Sequence, residues 1–150
     1  MHPLLAFDRA FVRFHRWVYL WSRGWIGHRL AIVRSLLLRS TGRRTGQQRD
    51  SILLYTKDGD GYVVVASNYG GDRAPAWFHN VRATPSVEIW VGHRHLAASA
   101  QVVEPGEADY ARLWELVNAK NGGRYDRYQK RTERPIPLVR LAVAKPPDAP

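Results

Sequence analysis

Apolar and polar residues follow two different periods along this chain, and the change falls near residue 30. From Phe7 the large apolar residues recur as Phe7, Phe11, Phe14, Val18, Trp21 and Trp25, in alternating steps of four and three. Steps of that size return to one face of a 3.6-residue helix, so the pattern predicts an amphipathic helix of about five turns within residues 1–28. Arg9, Arg13, Arg16 and Arg23 fall off the stripe, and Gly24 with Gly27 supplies a stop. The aromatic face needs a cover, which its own sheet, a second subunit or a membrane interface would each provide.

Beyond residue 30 the apolar runs become short and rich in Val, Ile, Leu and Tyr. Segments near 32–39, 50–57, 61–67, 86–92, 95–104 and 136–143 read as strands bounded by turn residues. Asp58-Gly59-Asp60-Gly61 is the clearest hairpin turn and Gly92-His93 a second. One helix is expected from Pro75 and another from about Glu107 to Lys120, turning Tyr110, Leu113, Trp114 and Val117 inward. Tyr125 and Tyr128 share a further helical face. The sum is an α+β chain, mainly β, with a largely antiparallel sheet and peripheral helices. Strand and helix numbers favour a closed or split β-barrel over a doubly wound sheet, and no GxGxxG follows a strand. The expected organisation is one domain over 1–150, comprising the N-terminal helix, a barrel over 32–143 and a flexible tail over 145–150.

Charge adds a partner class to this picture. The formal net charge is +10, and residues 1–50 carry ten Arg against Asp8 and Asp50. Nucleic acid, an anionic membrane surface and an acidic small molecule would all answer such a balance, although no nucleic-acid recognition module is visible. Arg interrupts every apolar stretch well short of about 18 residues, so no transmembrane span is expected. The same interruption by Asp8, Arg9, Arg13 and Arg16 argues against a secretory signal. Absence of Cys excludes thiol chemistry and is compatible with a cytoplasmic address.

The chemistry concentrates in Thr41-Gly42-Arg43-Arg44-Thr45-Gly46-Gln47-Gln48-Arg49. Three guanidinium groups on a glycine-punctuated turn offer planar forks that match phosphate or carboxylate, and glycines at 42 and 46 suit positive φ and close approach to an anion. Metal and hydrolytic chemistry lack support. The histidines at 2, 15, 28, 79, 93 and 95 show no HExxH spacing, His93 and His95 read as strand-surface residues, and no serine sits in a GxSxG elbow.

Three further blocks follow the arginine turn: Tyr62-Val63-Val64-Val65-Ala66-Ser67-Asn68, then Pro75-Ala76-Trp77-Phe78-His79-Asn80, then Tyr125-Asp126-Arg127-Tyr128-Gln129-Lys130-Arg131-Thr132 before Ile136-Pro137-Leu138-Val139. In this order, over residues 33–142, the blocks resemble the deazaflavin-dependent nitroreductase family, whose members use coenzyme F420. The chain departs from that pattern at Tyr69, where glycine is usual, and at Ala74, where histidine is common.

The resemblance implies the split barrel of flavin-binding reductases and hydride transfer from reduced F420 to a quinone, enone or nitroaromatic acceptor. It implies that Arg43, Arg44, Thr45, Gly46 and Arg49 hold the cofactor's phosphate and glutamyl tail. Ala66, Ser67, Asn68, Tyr69 and Gly70 would lie beside its phosphate and ring, with Trp77 and Asn80 at the pocket wall. Tyr125, Tyr128 and Ser67 would serve as the catalytic set. FMN is the weaker cofactor fit. Asn68 stands where some relatives have Lys, a loss that Arg73 could offset. The expected partners are the small-molecule acceptor, a second copy of the chain as a homodimer, and the inner face of the membrane as a peripheral contact. A cofactor carrier without turnover is the alternative, since Tyr69 could obstruct the acceptor side.

Overall fold

The computed structural model describes residues 34–145. The helix expected over residues 1–28, and the tail after Lys145, lie outside the described residues. Seven strands in this region form one sheet: β1 (Ser35–Thr41), β2 (Gln48–Leu54), β3 (Thr56–Asp58), β4 (Gly61–Val65), β5 (Ser86–Val91), β6 (Arg94–Val103) and β7 (Leu138–Val143). Three helices accompany them, α1 (Ala76–Ala83), α2 (Tyr110–Lys120) and α3 (Arg124–Gln129), with a 3-10 turn at Asn68–Gly70.

The strand order is β2-β1-β5-β6-β7-β4-β3, with every pairing antiparallel. The two outermost strands, β2 and β3, are separated in sequence by Tyr55 alone. One stretch of chain, 48–58, therefore serves both edges: its first part pairs with β1 and its last with β4, and the sheet must curl until those neighbours share it. Tyr55 occupies the crossing point. Its N–H donates to the Arg34 carbonyl at 3.0 Å, and its buried ring meets Tyr62 edge-on at 5.1 Å. The single strand expected over 50–57 is thus continuous in the chain but divided between two partners.

The strand directions decide where everything else goes. With all pairs antiparallel, β1, β6 and β4 point the same way, so the segments that follow Thr41, Val103 and Val65 all leave from one end of the barrel. The arginine turn, the loop after β4, α1 and the α2–α3 insertion share that origin. The hairpin turns at 59–60 and 92–93, both expected from sequence, close the opposite end.

Inside the barrel, Leu36, Leu38, Val64, Ile89, Val139 and Leu141 form a core with Trp77, Phe78 and Val81 from α1. A second cluster lies on the outer face, where Val63, Val103 and Leu138 meet Leu113 and Val117 of α2 and Tyr125 of α3. Strand β4 is consequently covered on both faces, which explains why Tyr62-Val63-Val64 is continuously apolar rather than alternating. Beyond Val65 the pairing stops. Ala66 N–H still donates to the Pro137 carbonyl, but Asn68 and Tyr69 then turn left-handed. At the other boundary Ile136 N–H is taken by Gln129 Oε1 and Pro137 has no N–H, so β7 begins at Leu138 rather than at residue 136.

Charged pairs fasten α2 to the barrel. Arg112 donates to both Asp58 oxygens at 2.9 and 3.0 Å and to both Asp109 oxygens, and Arg140 on β7 also reaches Asp109. Arg112 and Arg140 hold the Asp109 carboxyl down at about 2, from its ordinary 3.8. The native state therefore binds fewer protons there than the unfolded chain, and stability must rise with pH across that interval. Acidification from about pH 4 to pH 2 is expected to erode stability as Asp109 protonates, and Asp109→Asn is expected to flatten that part of a Tm-against-pH profile.

Gly70 gives a second test. It sits at φ +78°, and a Cβ there would lie 2.5 Å from the Tyr128 carbonyl oxygen. Gly70→Ala should cost about 2 kcal/mol or more in denaturant unfolding, through both the backbone region and the clash with α3.

Candidate functional site

The hairpin joining β1 to β2 is built by its own small residues. Gly42 N–H donates to the Gln47 carbonyl at 2.7 Å, Gly46 N–H to the Gly42 carbonyl at 2.8 Å, and Gln47 N–H to Thr45 Oγ1 at 3.2 Å. Only Gly46 uses positive φ, at +69°. Gly42, expected to do the same, is needed for another reason: a Cβ would lie 2.9 Å from Thr45 Oγ1 and 3.1 Å from the Gln47 carbonyl oxygen.

The turn is tied to α1 by Asn80, whose buried side-chain oxygen accepts from Arg43 N–H at 3.1 Å. Of the two helix positions singled out by sequence, Asn80 therefore satisfies backbone, whereas Trp77 lies in the barrel core against Phe78. His79, next to Asn80, is held below the ordinary histidine range by burial and by the nearby charges of Arg43 and Arg82. Arg43, Arg44 and Arg49 are exposed, and none forms an ion pair among the described residues.

The loop after β4 forms the second part of the site. Ser67 is nearly buried, its carbonyl accepts from Gly70 N–H at 2.9 Å, and its hydroxyl makes no hydrogen bond among the described residues. Asn68 closes the loop on itself, donating from Nδ2 to the Arg73 carbonyl at 3.0 Å and accepting Gly71 N–H at its carbonyl. The Arg73 side chain is exposed and forms no ion pair among the described residues. Gly70 admits the backbone of α3 at Tyr128, where a Cβ would lie 2.5 Å from the carbonyl oxygen.

Arg134, a residue that no motif or spacing singles out, holds this loop. Its Nε donates to the Gly71 carbonyl at 2.8 Å, and Nη2 donates to the Ser67 and Ala66 carbonyls at 2.9 and 3.2 Å. No carboxylate among the described residues bonds to it. Burial draws its pKa below the arginine norm, with Asp72 acting only as a nearby countercharge. Within a run of charged residues before Pro135, no periodicity separates Arg134 from its exposed neighbours; only the fold brings three carbonyls to it.

Helix α3 supplies the tyrosines. Tyr125 is buried among Trp114 and the second cluster, and burial pushes its hydroxyl up to about 12, so it stays protonated at neutral pH. Tyr128 is half-buried and meets Tyr125 edge-on at 6.1 Å on one side and Tyr69 edge-on at 6.1 Å on another. Neither Tyr125 nor Tyr128 spends its hydroxyl on a hydrogen bond among the described residues. The structure thus joins Ser67, Tyr69 and Gly70 to Tyr128, and Arg43 to Asn80, as two groups at one end of the barrel. The two histidines at 93 and 95 do not form a pair: His93 lies in the turn, while His95 bonds Glu88 at 2.8 Å and stacks on Trp90.

Known proteins resemble this chain in sequence and in fold. The chain is 48% identical over 131 residues to an F420H(2)-dependent quinone reductase of Mycobacterium tuberculosis (strain ATCC 25618 / H37Rv), covering 87% of this chain and 88% of that protein. Among solved structures, an F420-H2 dependent reductase (FDR-A) superposes with a TM-score of 0.65 at 28% identity, over 72% of this chain and 93% of the other. A second, described as a domain-swapped dimer, gives a TM-score of 0.68 at 26% identity, over 89% and 98%. The model of the F420H(2)-dependent quinone reductase family matches residues 11–142, and with the split barrel and its arginine turn in place the chain belongs to that family.

Proposed function

We propose that this protein is an oxidoreductase that passes a hydride from reduced coenzyme F420 to a quinone, with Arg43, Arg44 and Arg49 as the grip on the cofactor. The observation that carries this reading is three exposed guanidinium groups, without acidic partners among the described residues, on a turn fixed by Gly42, Thr45, Gly46 and Asn80. A phosphate with carboxylates is the chemistry such a donor set fits, and FMN, with one phosphate and no glutamyl tail, answers less of it.

When bound, the deazaflavin supplies hydride from its C5 carbon; the protein supplies position, dryness and charge. The unpartnered Ser67 hydroxyl and the backbone of Ala66 to Gly70 are the groups we assign to the ring's side. Tyr128, with its free hydroxyl, is assigned to the acceptor, where an O–H donor stabilises the oxygen that gains negative charge. Tyr125, neutral and packed behind it, keeps Tyr128 in place. Arg134 fixes the loop between these two sides. Trp77 acts through packing beneath the turn.

Enones and nitroaromatics are further acceptors of the same chemistry, since each places developing charge on an oxygen. No helix among the described residues is long and apolar enough to cross a membrane. The aromatic stripe from Phe7 to Trp25 with its flanking arginines supports contact with an anionic membrane surface, where a lipid-soluble quinone would be met. The domain-swapped dimer among the structural relatives supports a homodimer.

Three outcomes test this. Each of Arg43→Ala, Arg44→Ala and Arg49→Ala should weaken reduced F420 by about tenfold or more in anaerobic fluorescence titration, as loss of a charge-assisted hydrogen bond worth about 1.5–3 kcal/mol requires. Arg134→Ala should lower stability by about 2–4 kcal/mol and weaken cofactor binding, with Arg134→Lys recovering only part because one ammonium cannot span three carbonyls. Removal of residues 1–25 should spare cofactor affinity, slow turnover of long-chain quinones and abolish co-sedimentation with anionic liposomes. Binding of reduced F420 without faster reoxidation by menadione would instead identify a carrier.

A further inference from the structure

Asn68 and Tyr69 are consecutive residues at φ 44° and 57°, the positive-φ residues other than glycine among the described part of the chain. Side chains adopt that region at a cost, and it persists only where the surroundings over-determine it. Here they do. The Tyr69 carbonyl accepts from Arg131 at 3.3 Å, Gly70 and Gly71 N–H bond back to Ser67 and Asn68, and Arg134 holds the carbonyls of Ala66, Ser67 and Gly71.

The side chain so displayed is not used for packing the core. Tyr69 is 73% exposed, the large apolar residue left in solvent among those described. Its ring stands edge-on to Tyr128 at 72°, while the guanidinium of Arg131 lies 5.3 Å from the centre of the Tyr128 ring. A strained backbone therefore presents an exposed ring beside a half-buried tyrosine with a free hydroxyl, and a cation borders both.

We propose that Tyr69 is a specificity-determining residue for the acceptor: its exposed ring, in edge contact with Tyr128, forms with it an aromatic corner against which a flat, uncharged quinone ring lies, and it limits the width of quinone admitted. The inference rests on the assignment of Tyr128 to the acceptor side. Two aromatic walls suit a planar quinone through stacked and edge contacts, and they exclude substituents that stand out from the ring plane. Arg131 favours an acceptor that becomes negative as it is reduced. In this arrangement the backbone strain holds the ring where a relaxed extended residue would carry it elsewhere.

The test uses the full chain with Tyr69→Gly and Tyr69→Phe, reduced F420, and two acceptors, planar menadione and the crowded duroquinone. Glycine accepts the left-handed backbone without strain, so Tm should hold within about 3 °C of the native protein. For Tyr69→Gly, reduced F420 should bind within about twofold of native, while the ratio of kcat/KM for menadione to that for duroquinone falls by about tenfold, the equivalent of one lost ring contact. Tyr69→Phe should keep the native ratio, because the wall is the ring and not the hydroxyl. An unchanged ratio in Tyr69→Gly overturns the proposal, as does a cofactor affinity lowered tenfold with the ratio intact, which would place Tyr69 on the cofactor. Native protein that binds no reduced F420 overturns the functional reading itself, a result separable from either of these.

Discussion

The sharing of one stretch of chain by both edges of the sheet is the constraint on which the rest depends. Residues 48–58 pair first with β1 and then with β4, so the sheet has no choice but to close, and Tyr55 at the crossing is buried against Tyr62. The two ends of the sheet, β2 and β3, are thereby held next to each other by the chain itself. Closure also fixes strand direction around the barrel. The segments after β1, β4 and β6 then emerge together, and residues as far apart in sequence as Ala66 and Arg134 become neighbours at one end.

Within that frame the arginines divide by partner. Arg39 pairs with Asp50 at 2.8 Å, and Arg112 and Arg140 share Asp58 and Asp109; these bind strand to strand and α2 to the barrel. Arg43, Arg44, Arg49 and Arg73 pair with no acid among the described residues and are exposed at the site end. A guanidinium matched by carboxylate offers little to a ligand, whereas unmatched ones gathered on a rigid turn create a field that an anion relieves. Arg134 belongs to neither group. It is satisfied by carbonyls, a solution that costs desolvation of a cation but joins the loop after β4 to the segment entering β7.

Contact between that loop and α3 shows the same economy of means. Gly70 is absent of side chain because α3 occupies the space, Arg131 caps the Tyr69 carbonyl, and Thr132 reaches Asp72 at 3.4 Å. Side chains assigned to cofactor and to acceptor are consequently held by one interface. Movement of α3 would change both.

Local chemistry made much of this legible in the sequence. Period-two runs, the Asp58-Gly59-Asp60-Gly61 and Gly92-His93 turns, and the arginine turn each depend on residues within a few positions, and the blocks in their order carried the family. Three things required the fold. The strand over 50–57 divides at Tyr55 because two different neighbours need it, which no local pattern encodes. Gly42 and Gly70 lie in contacts, with Thr45 and with Tyr128, that leave no room for a Cβ. Arg134 acquired its place only when chain closure brought three carbonyls within reach of one guanidinium. Sequence determines periodicity and turn chemistry because these act between near neighbours; tertiary structure decides which distant backbone groups a side chain meets, because that follows from how the sheet closes.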